Sequence, residues 1–245
     1  MILALLLAAS PVPPTLDAWL GPAVSARRVA YRDRLTPALA GYESGARLGA
    51  SLTVSLYPAS GRGLPVVSDV GFVGSFTRSL PSPTVTRDGA TALLATSTLW
   101  DAGLRWRALV DGVDRLGVSL RYVSLRDDFD GALPGVLLPS GETGAWAPGV
   151  DGRLSLGPAV LSASASWLGL VSHGAFGDAF PRETAGGVDA SAALSLDLGR
   201  HVAARLALRY ARVFAAFHPL PHDPYVAGGA TDETVQASLA VALRL

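Results

Sequence analysis

The sequence predicts an all-β protein. The expected form is a transmembrane antiparallel up-and-down β-barrel of about ten strands, with eight and twelve as alternative counts. Three observations predict it. Apolar and polar residues alternate with period two over roughly nine to twelve residues at a time. That is the length a tilted strand needs to cross a bilayer, and it exceeds the strands of soluble sheets. The connections alternate between short and long along the chain, and aromatic residues gather at the long-loop ends of the strands.

Composition agrees with this class and removes others. The chain has 245 residues, 49% of them hydrophobic, and a mean hydropathy of +0.35. Its only continuous apolar run is Ile2 to Ala9, far short of the roughly 20 residues of a membrane helix. The hydrophobicity is therefore dispersed by alternation, which is how a membrane barrel escapes a hydropathy window. Formal net charge is +0, so bulk electrostatics gives no reason to expect a nucleic-acid partner. There is no cysteine, which removes disulfides, thiolate metal sites and cysteine nucleophiles. No cofactor and no metal site is expected.

The elements follow in order. Residues 1–10 (MILALLLAAS) read as a signal peptide truncated at its front, with an apolar core and a small-residue end but no basic residue before it. Residues 11–26, which open on Pro11 to Pro14, read as a linker, and 27–245 as the barrel. The weakest strand is Arg28 to Leu35, with Val29, Tyr31 and Leu35 placed outward and Arg28, Arg32 and Arg34 inward. Clearer strands are expected at Arg47–Tyr57, Asp69–Leu80, Leu99–Val110, Leu116–Leu125 and Trp146–Leu156. Leu161–Gly169, Val188–Leu198, Val202–Tyr210 and Thr234–Leu245 complete the set. The last is the model for all: Val235, Ala237, Leu239, Val241, Leu243 and Leu245 share one face, and Gln236, Ser238 and Arg244 lie on the other.

Tight connections are expected at Asp111–Asp114, Gly157–Pro158 and Gly199–His201, with Pro58–Pro65 somewhat longer. Long ones are expected at Thr36–Ala46, Pro81–Thr96, Asp127–Ala145, Ser172–Glu183 and Ala215–Thr231. Short turns on one side and long loops on the other match periplasmic turns and external loops. Phe76, Trp100, Tyr122, Trp146, Trp167 and Tyr210 then form an outer aromatic girdle, with Phe214 beside them. Tyr57 and Phe72 are the candidates for the inner girdle.

In this pattern the chain resembles the bacterial outer-membrane β-barrel proteins, from Arg27 to Leu245. The resemblance implies the outer membrane of a Gram-negative bacterium as location, with the lipid bilayer, lipopolysaccharide and the barrel-assembly machinery as partners. One departure stands out: such proteins usually end in an aromatic residue, and this chain ends Leu243-Arg244-Leu245.

The faces turned inward carry Arg47, Arg105, Arg107, Arg121, Arg153, Arg205, Arg209 and Arg244, with Asp69, Asp101, Asp151, Asp189 and Asp197. A barrel of about ten strands leaves little lumen, and an enclosed charge must be paired or solvated. These residues are therefore expected to form an Arg–Asp–Ser network that fills and braces the interior of a structural, interaction or minor transport protein. The alternative is a narrow passage for a small anionic solute, because arginine linings favour anions. A second alternative is a hydrolase at the outer rim. Asp127, Asp128, His222 and Asp223 offer the residue types of an omptin-like protease, and His173 and His218 lie in the same long loops. The plainer reading of DDFDG and PHDP is solvated turns, and no catalytic residue is assigned.

Overall fold

The computed structural model describes residues 15–60, 67–86, 92–110, 113–130, 141–199 and 201–244. The expected signal segment and Pro11–Pro14 lie outside the described residues, as do parts of the Pro58–Pro65, Asp111–Asp114 and Gly199–His201 connections. The described residues form one antiparallel sheet of 12 strands that closes on itself.

The strands are β1 (Leu16–Arg32), β2 (Tyr42–Ser44), β3 (Arg47–Leu56), β4 (Val70–Ser79), β5 (Ser82–Thr86) and β6 (Ala92–Val110). They continue as β7 (Val113–Asp130), β8 (Gly141–Leu156), β9 (Ala159–His173), β10 (Glu183–Asp197), β11 (Val202–Phe217) and β12 (Gly229–Arg244). A short helix, α1 (Gly174–Ala179), lies between β9 and β10. Each long strand pairs with its neighbour, and β12 returns to β1 from Asp17↔Arg244 to Arg32↔Gly229. The short strands β2 and β5 bridge β1 to β6 above β3 and β4, through Val29↔Tyr42, Tyr42↔Thr86 and Val85↔Ala92. Ten staves therefore close the ring, two of them broken: β2 runs on into β3, and β4 into β5.

Closure is what makes an apolar exterior tolerable. A sheet in lipid has no water to satisfy an open edge, so every backbone N–H and C=O must pair within the ring. The exterior is Leu20, Val24, Leu52, Phe72, Leu104, Val118, Val150, Leu161, Leu194, Leu206 and Leu239, all exposed. On β8 the outward run from Leu156 to Trp146 covers ten steps, which at about 3.3 Å per residue and 40° tilt gives roughly 25 Å, the height of a barrel's apolar band.

Two expectations about the N-terminal part are corrected. The strand starts at Leu16, so Leu16 to Ala26 belong to the wall and not to a linker. Its register is also inverted: Val29 is buried inside and Arg28 is exposed. The cause lies in height. Val29 sits beyond the aromatic girdle, where the interior is apolar and the exterior meets water, so the in-polar, out-apolar rule reverses. Pro22 disguised the strand's beginning. The β1–β12 ladder skips Gly21 and Pro22, so the missing proline N–H costs no bond to β12. Gly21 presses so close to β12 that an added Cβ would sit 2.0 Å from the Leu239 carbonyl oxygen.

The staves also run further than the alternation suggests. β7 continues to Asp130, β8 begins at Gly141, β11 continues to Phe217 and β12 begins at Gly229, all inside stretches expected to be loop. The β1–β12 seam gives a direct check in a chain without cysteine. Val24→Cys with Ala237→Cys, a directly opposed pair, is predicted to form a disulfide and yield a cross-linked ring on a denaturing gel. Val24→Cys with Ser238→Cys, which face opposite sides of the wall, is predicted not to.

Candidate functional site

The lumen is built as layers. Nearest the short turns, Arg107 stacks over the Tyr57 ring at 3.9 Å, bonds Ser60 Oγ at 2.8 Å and faces Asp69 at 3.4 Å. Tyr57 is thus turned inward and buried, not part of an inner girdle; its hydroxyl accepts from Arg105 Nη1 at 2.5 Å. Arg205 stacks over Trp19 at 5.4 Å.

The central layer ties opposite walls together. Arg209 grips Asp189 with two bonds, Nε to Oδ1 at 3.0 Å and Nη2 to Oδ2 at 2.7 Å, and reaches Asp101 at 2.9 Å. Arg121 lies 3.4 Å from Asp101 and 3.6 Å from Asp189, and it donates to Ser166 Oγ at 2.9 Å. Ser75 donates to Asp101 at 2.6 Å. Two cations and two anions from β6, β7, β10 and β11 therefore form one alternating cluster. Beside it Arg105 holds Asp151 in a fork of 2.8 and 2.5 Å. Gly117 makes room for that fork: a Cβ there would lie 2.5 Å from both Arg105 Nε and Asp151 Oδ1. These groups, with Arg153, Arg205 and several serines, line a polar cavity of about 210 Å³.

Above the cavity an apolar belt crosses the lumen. Leu99, Val123, Ala145, Ala147, Leu168 and Val213 are buried together, with Leu125 and Leu170 against them. A small cavity of about 40 Å³ lies against the belt, lined mainly by its apolar side chains. Over the belt sits a second charged cluster. Arg27 bonds Asp232 through Nε at 2.8 Å and pairs with Asp127. Tyr42 donates its hydroxyl to Asp127, and Arg47 approaches Asp127 at 3.5 Å and Thr84 at 2.8 Å. Asp127 is 0% and Arg47 1% exposed. The mouth itself is filled by Val29, Leu39, Phe176, Phe180, Phe217 and Ala227, with Tyr31 and Tyr225 packed against them. The Phe180 and Phe217 rings stack at 3.7 Å.

Of the expected inward set, Arg47, Asp101, Arg105, Arg107, Arg121, Asp151, Arg153, Asp189, Arg205 and Arg209 lie within these layers. Asp197 ends β10 exposed at the short-turn end. Arg244 holds its place in the ladder opposite Asp17, and its side chain lies outside the described residues. The girdle residues Phe76, Trp100, Trp146, Trp167, Tyr210 and Phe214 are exposed on the wall. Tyr122 packs between Trp100 and Trp146 at 5.6 and 5.5 Å.

The rim aspartates Asp127 and Asp128 do not share a face. Asp127 points into the lumen, and Asp128, the next residue on the strand, points out to Arg126. Asp223 is tied to Arg182 and to the Leu220 N–H, and these hold its carboxyl below the usual carboxylate range. Arg27, Tyr42 and Asp232 were not legible as site residues because they lie beyond the girdle; period-two continuity from Trp19 through Ala23 to Arg27 is the signal that reaches them.

No family model and no curated protein matches the chain. Among solved structures it is similar to the outer membrane protease OmpT of Escherichia coli, at a TM-score of 0.52 and 9% identity over 98% of this chain and 100% of that one. It also matches a Pseudomonas aeruginosa FadL homologue, with TM-score 0.37 and 9% identity over 94% and 90% of the two chains. A third match is Ail of Yersinia pestis, with TM-score 0.36 and 12% identity over 95% and 99%. The chain thus has the fold of an outer-membrane β-barrel, and at these identities the likeness concerns fold alone.

The two kinds of ion pair should respond differently to mutation. Asp127→Ala leaves Arg27 and Arg47 short of a buried counter-charge and is predicted to cost about 3–5 kcal/mol. Asp128→Ala removes a pair whose partners are 58% and 54% exposed and is predicted to cost under about 1 kcal/mol. Equilibrium urea unfolding of the refolded protein in lipid vesicles measures both.

Proposed function

We propose that the protein is an integral barrel of the bacterial outer membrane with a structural or interaction role, whose lumen is braced shut. The observation that carries this reading is the sequence of layers in the lumen. A solute entering the mouth meets the aromatic plug, then the Arg27–Asp127–Asp232 cluster, then the apolar belt at Leu99 and Val213. A hydrophobic constriction dewets and opposes ion passage, and the charged cluster below spends its arginines on aspartates. Both terminal strands meet at the short-turn end, which is the periplasmic side in this reading, with residues 1–10 as the export signal.

The outer surface supports an interaction role. Just beyond the girdle the wall carries charges of alternating sign on adjacent staves: Glu43 opposite Arg28, Arg28 opposite Glu233, and Glu233 opposite Arg212. Arg126 faces Glu142 on the other side. Such a collar suits the mixed charge of a lipopolysaccharide headgroup layer with its counter-ions. The assembly machinery is the other proposed partner, through β12 and its intact alternation.

Planar-bilayer recording tests the closed lumen. The folded protein is predicted to produce no stable conductance steps. A steady conductance with anion preference, reduced in Arg105→Ser or Arg209→Ser, would instead identify the lumen as a narrow anion passage.

A further inference from the structure

The connection between β9 and β10 crosses the outer mouth with its feet apart. The β9–β10 ladder ends at Gly169↔Gly186. Beyond it each strand follows its other neighbour: β9 stays on β8 as far as Thr143↔His173, and β10 stays on β11 as far as Glu183↔Phe217. The two feet touch through side chains, His173 Nδ1 lying 2.8 Å from Glu183 Oε2. Both feet are thus fixed in the wall, and residues 174–182 form the span between them.

That span is held down mainly by aromatic packing. Its helix, α1, has 6 residues and no side-chain cap at its N-terminus. Gly174, at the first foot, has a φ of 48°, in the left-handed region that glycine enters without strain. Among the described residues, the span's polar ties to the rest of the barrel are both made by Arg182, to Asp223 and to the His218 carbonyl oxygen at 3.2 Å. The ion pair is partly exposed, and such pairs contribute little. The other contacts are between rings. Phe180 stacks on Phe217, and Phe176 and Phe180 lean on Tyr31 at 5.7 and 6.5 Å. This packing carries a penalty. The Tyr31 hydroxyl is enclosed and has no hydrogen-bond partner, which disfavours the state that encloses it.

We infer that residues 174–182 are a lid on the mouth, latched by Arg182, which opens as a unit by lifting Phe176 and Phe180 off Tyr31 and Phe217. A span with few backbone bonds and weak polar ties opens far more readily than the sheet that carries it. Opening returns the Tyr31 hydroxyl to water and uncovers the mouth down to the Arg27–Asp127–Asp232 cluster. The belt at Leu99 and Val213 lies further down and stays packed. The lid therefore controls access to the mouth without opening a path through the lumen.

Thiol labelling of the folded, micelle-embedded protein tests this in a chain without cysteine. Ala215→Cys and Ala230→Cys place thiols in the plug, where each alanine is 3% exposed, and Ala147→Cys places one in the belt, where the alanine is 0% exposed. Two plug sites are used so that one suffices if the other disturbs folding. A water-soluble maleimide is expected to label positions 215 and 230 at least tenfold faster than position 147. Arg182→Ala removes the latch and is expected to raise both plug rates at least threefold. Tyr31→Phe removes the unpartnered hydroxyl, favours the closed lid and is expected to lower both at least threefold. The inference is overturned if the plug sites label no faster than position 147, or if their rates are unchanged in Arg182→Ala or in Tyr31→Phe. Labelling of all three positions at similar rates reports loosening of the whole barrel and overturns it as well. A lumen open from end to end would expose position 147, so the lid and the sealed lumen fail separately.

Discussion

The structure depends on one constraint: a charge enclosed by a lipid-wrapped wall must find its counter-charge inside that wall. Arg209 illustrates how strongly this shapes the chain. Its guanidinium reaches Asp189 on the neighbouring stave and Asp101 across the lumen, which are far apart in sequence. A slip of one residue in either ladder would turn one of these side chains into lipid. Ionic pairs in an interior add little net stability compared with apolar packing, but a broken pair is costly. The network therefore acts chiefly against wrong registers. Gly117 shows the same demand at the level of backbone, since the Arg105–Asp151 fork lies where any side chain would stand.

The second organising feature is the reversal of polarity at the aromatic girdle. Below Trp100 and Trp146 the wall is apolar outside and polar inside; above them Arg28 and Arg212 face out while Val29 and Phe217 face in. Most staves run straight through that height; the β8–β9 ladder shifts register there, between Gly144 and Ala145. The solvent outside changes from lipid to water, and the same ladder then folds as a soluble sheet folds, around its own apolar core. That core is what closes the mouth, and the connection between β9 and β10 supplies two of its aromatic rings, Phe176 from α1 and Phe180 just after it.

This reversal also explains what the sequence could reveal. The lipid-crossing part was legible because two opposed solvents impose one rule on every stave: Leu239 outward and Gln236 inward on β12 follow it, as do Leu104 and Arg105 on β6. Inward arginines and aspartates could be identified by parity alone, although parity says nothing of which pairs form. Beyond the girdle the interior holds both the charged cluster and the apolar plug, so one polarity rule no longer applies: Val29 and Tyr31 read as outward, and Asp127 as part of a solvated turn. The Arg27–Asp127–Asp232 cluster joins residues 100 and 205 positions apart, and no local pattern predicts such a meeting. Pro22 hid the first half of β1 because proline ordinarily marks the end of a strand; here its missing donor falls where the ladder to β12 is already broken.

The account rests on the claim that the polar cavity at the centre is sealed from the outer surface by the belt, the charged cluster and the plug. Cysteine labelling in intact cells tests it most directly. Ser164→Cys places a thiol in the cavity, and Leu220→Cys places one on an exposed loop. With a membrane-impermeant thiol reagent added outside, the account predicts rapid labelling at position 220 and none at position 164. Labelling of both at similar rates would contradict it.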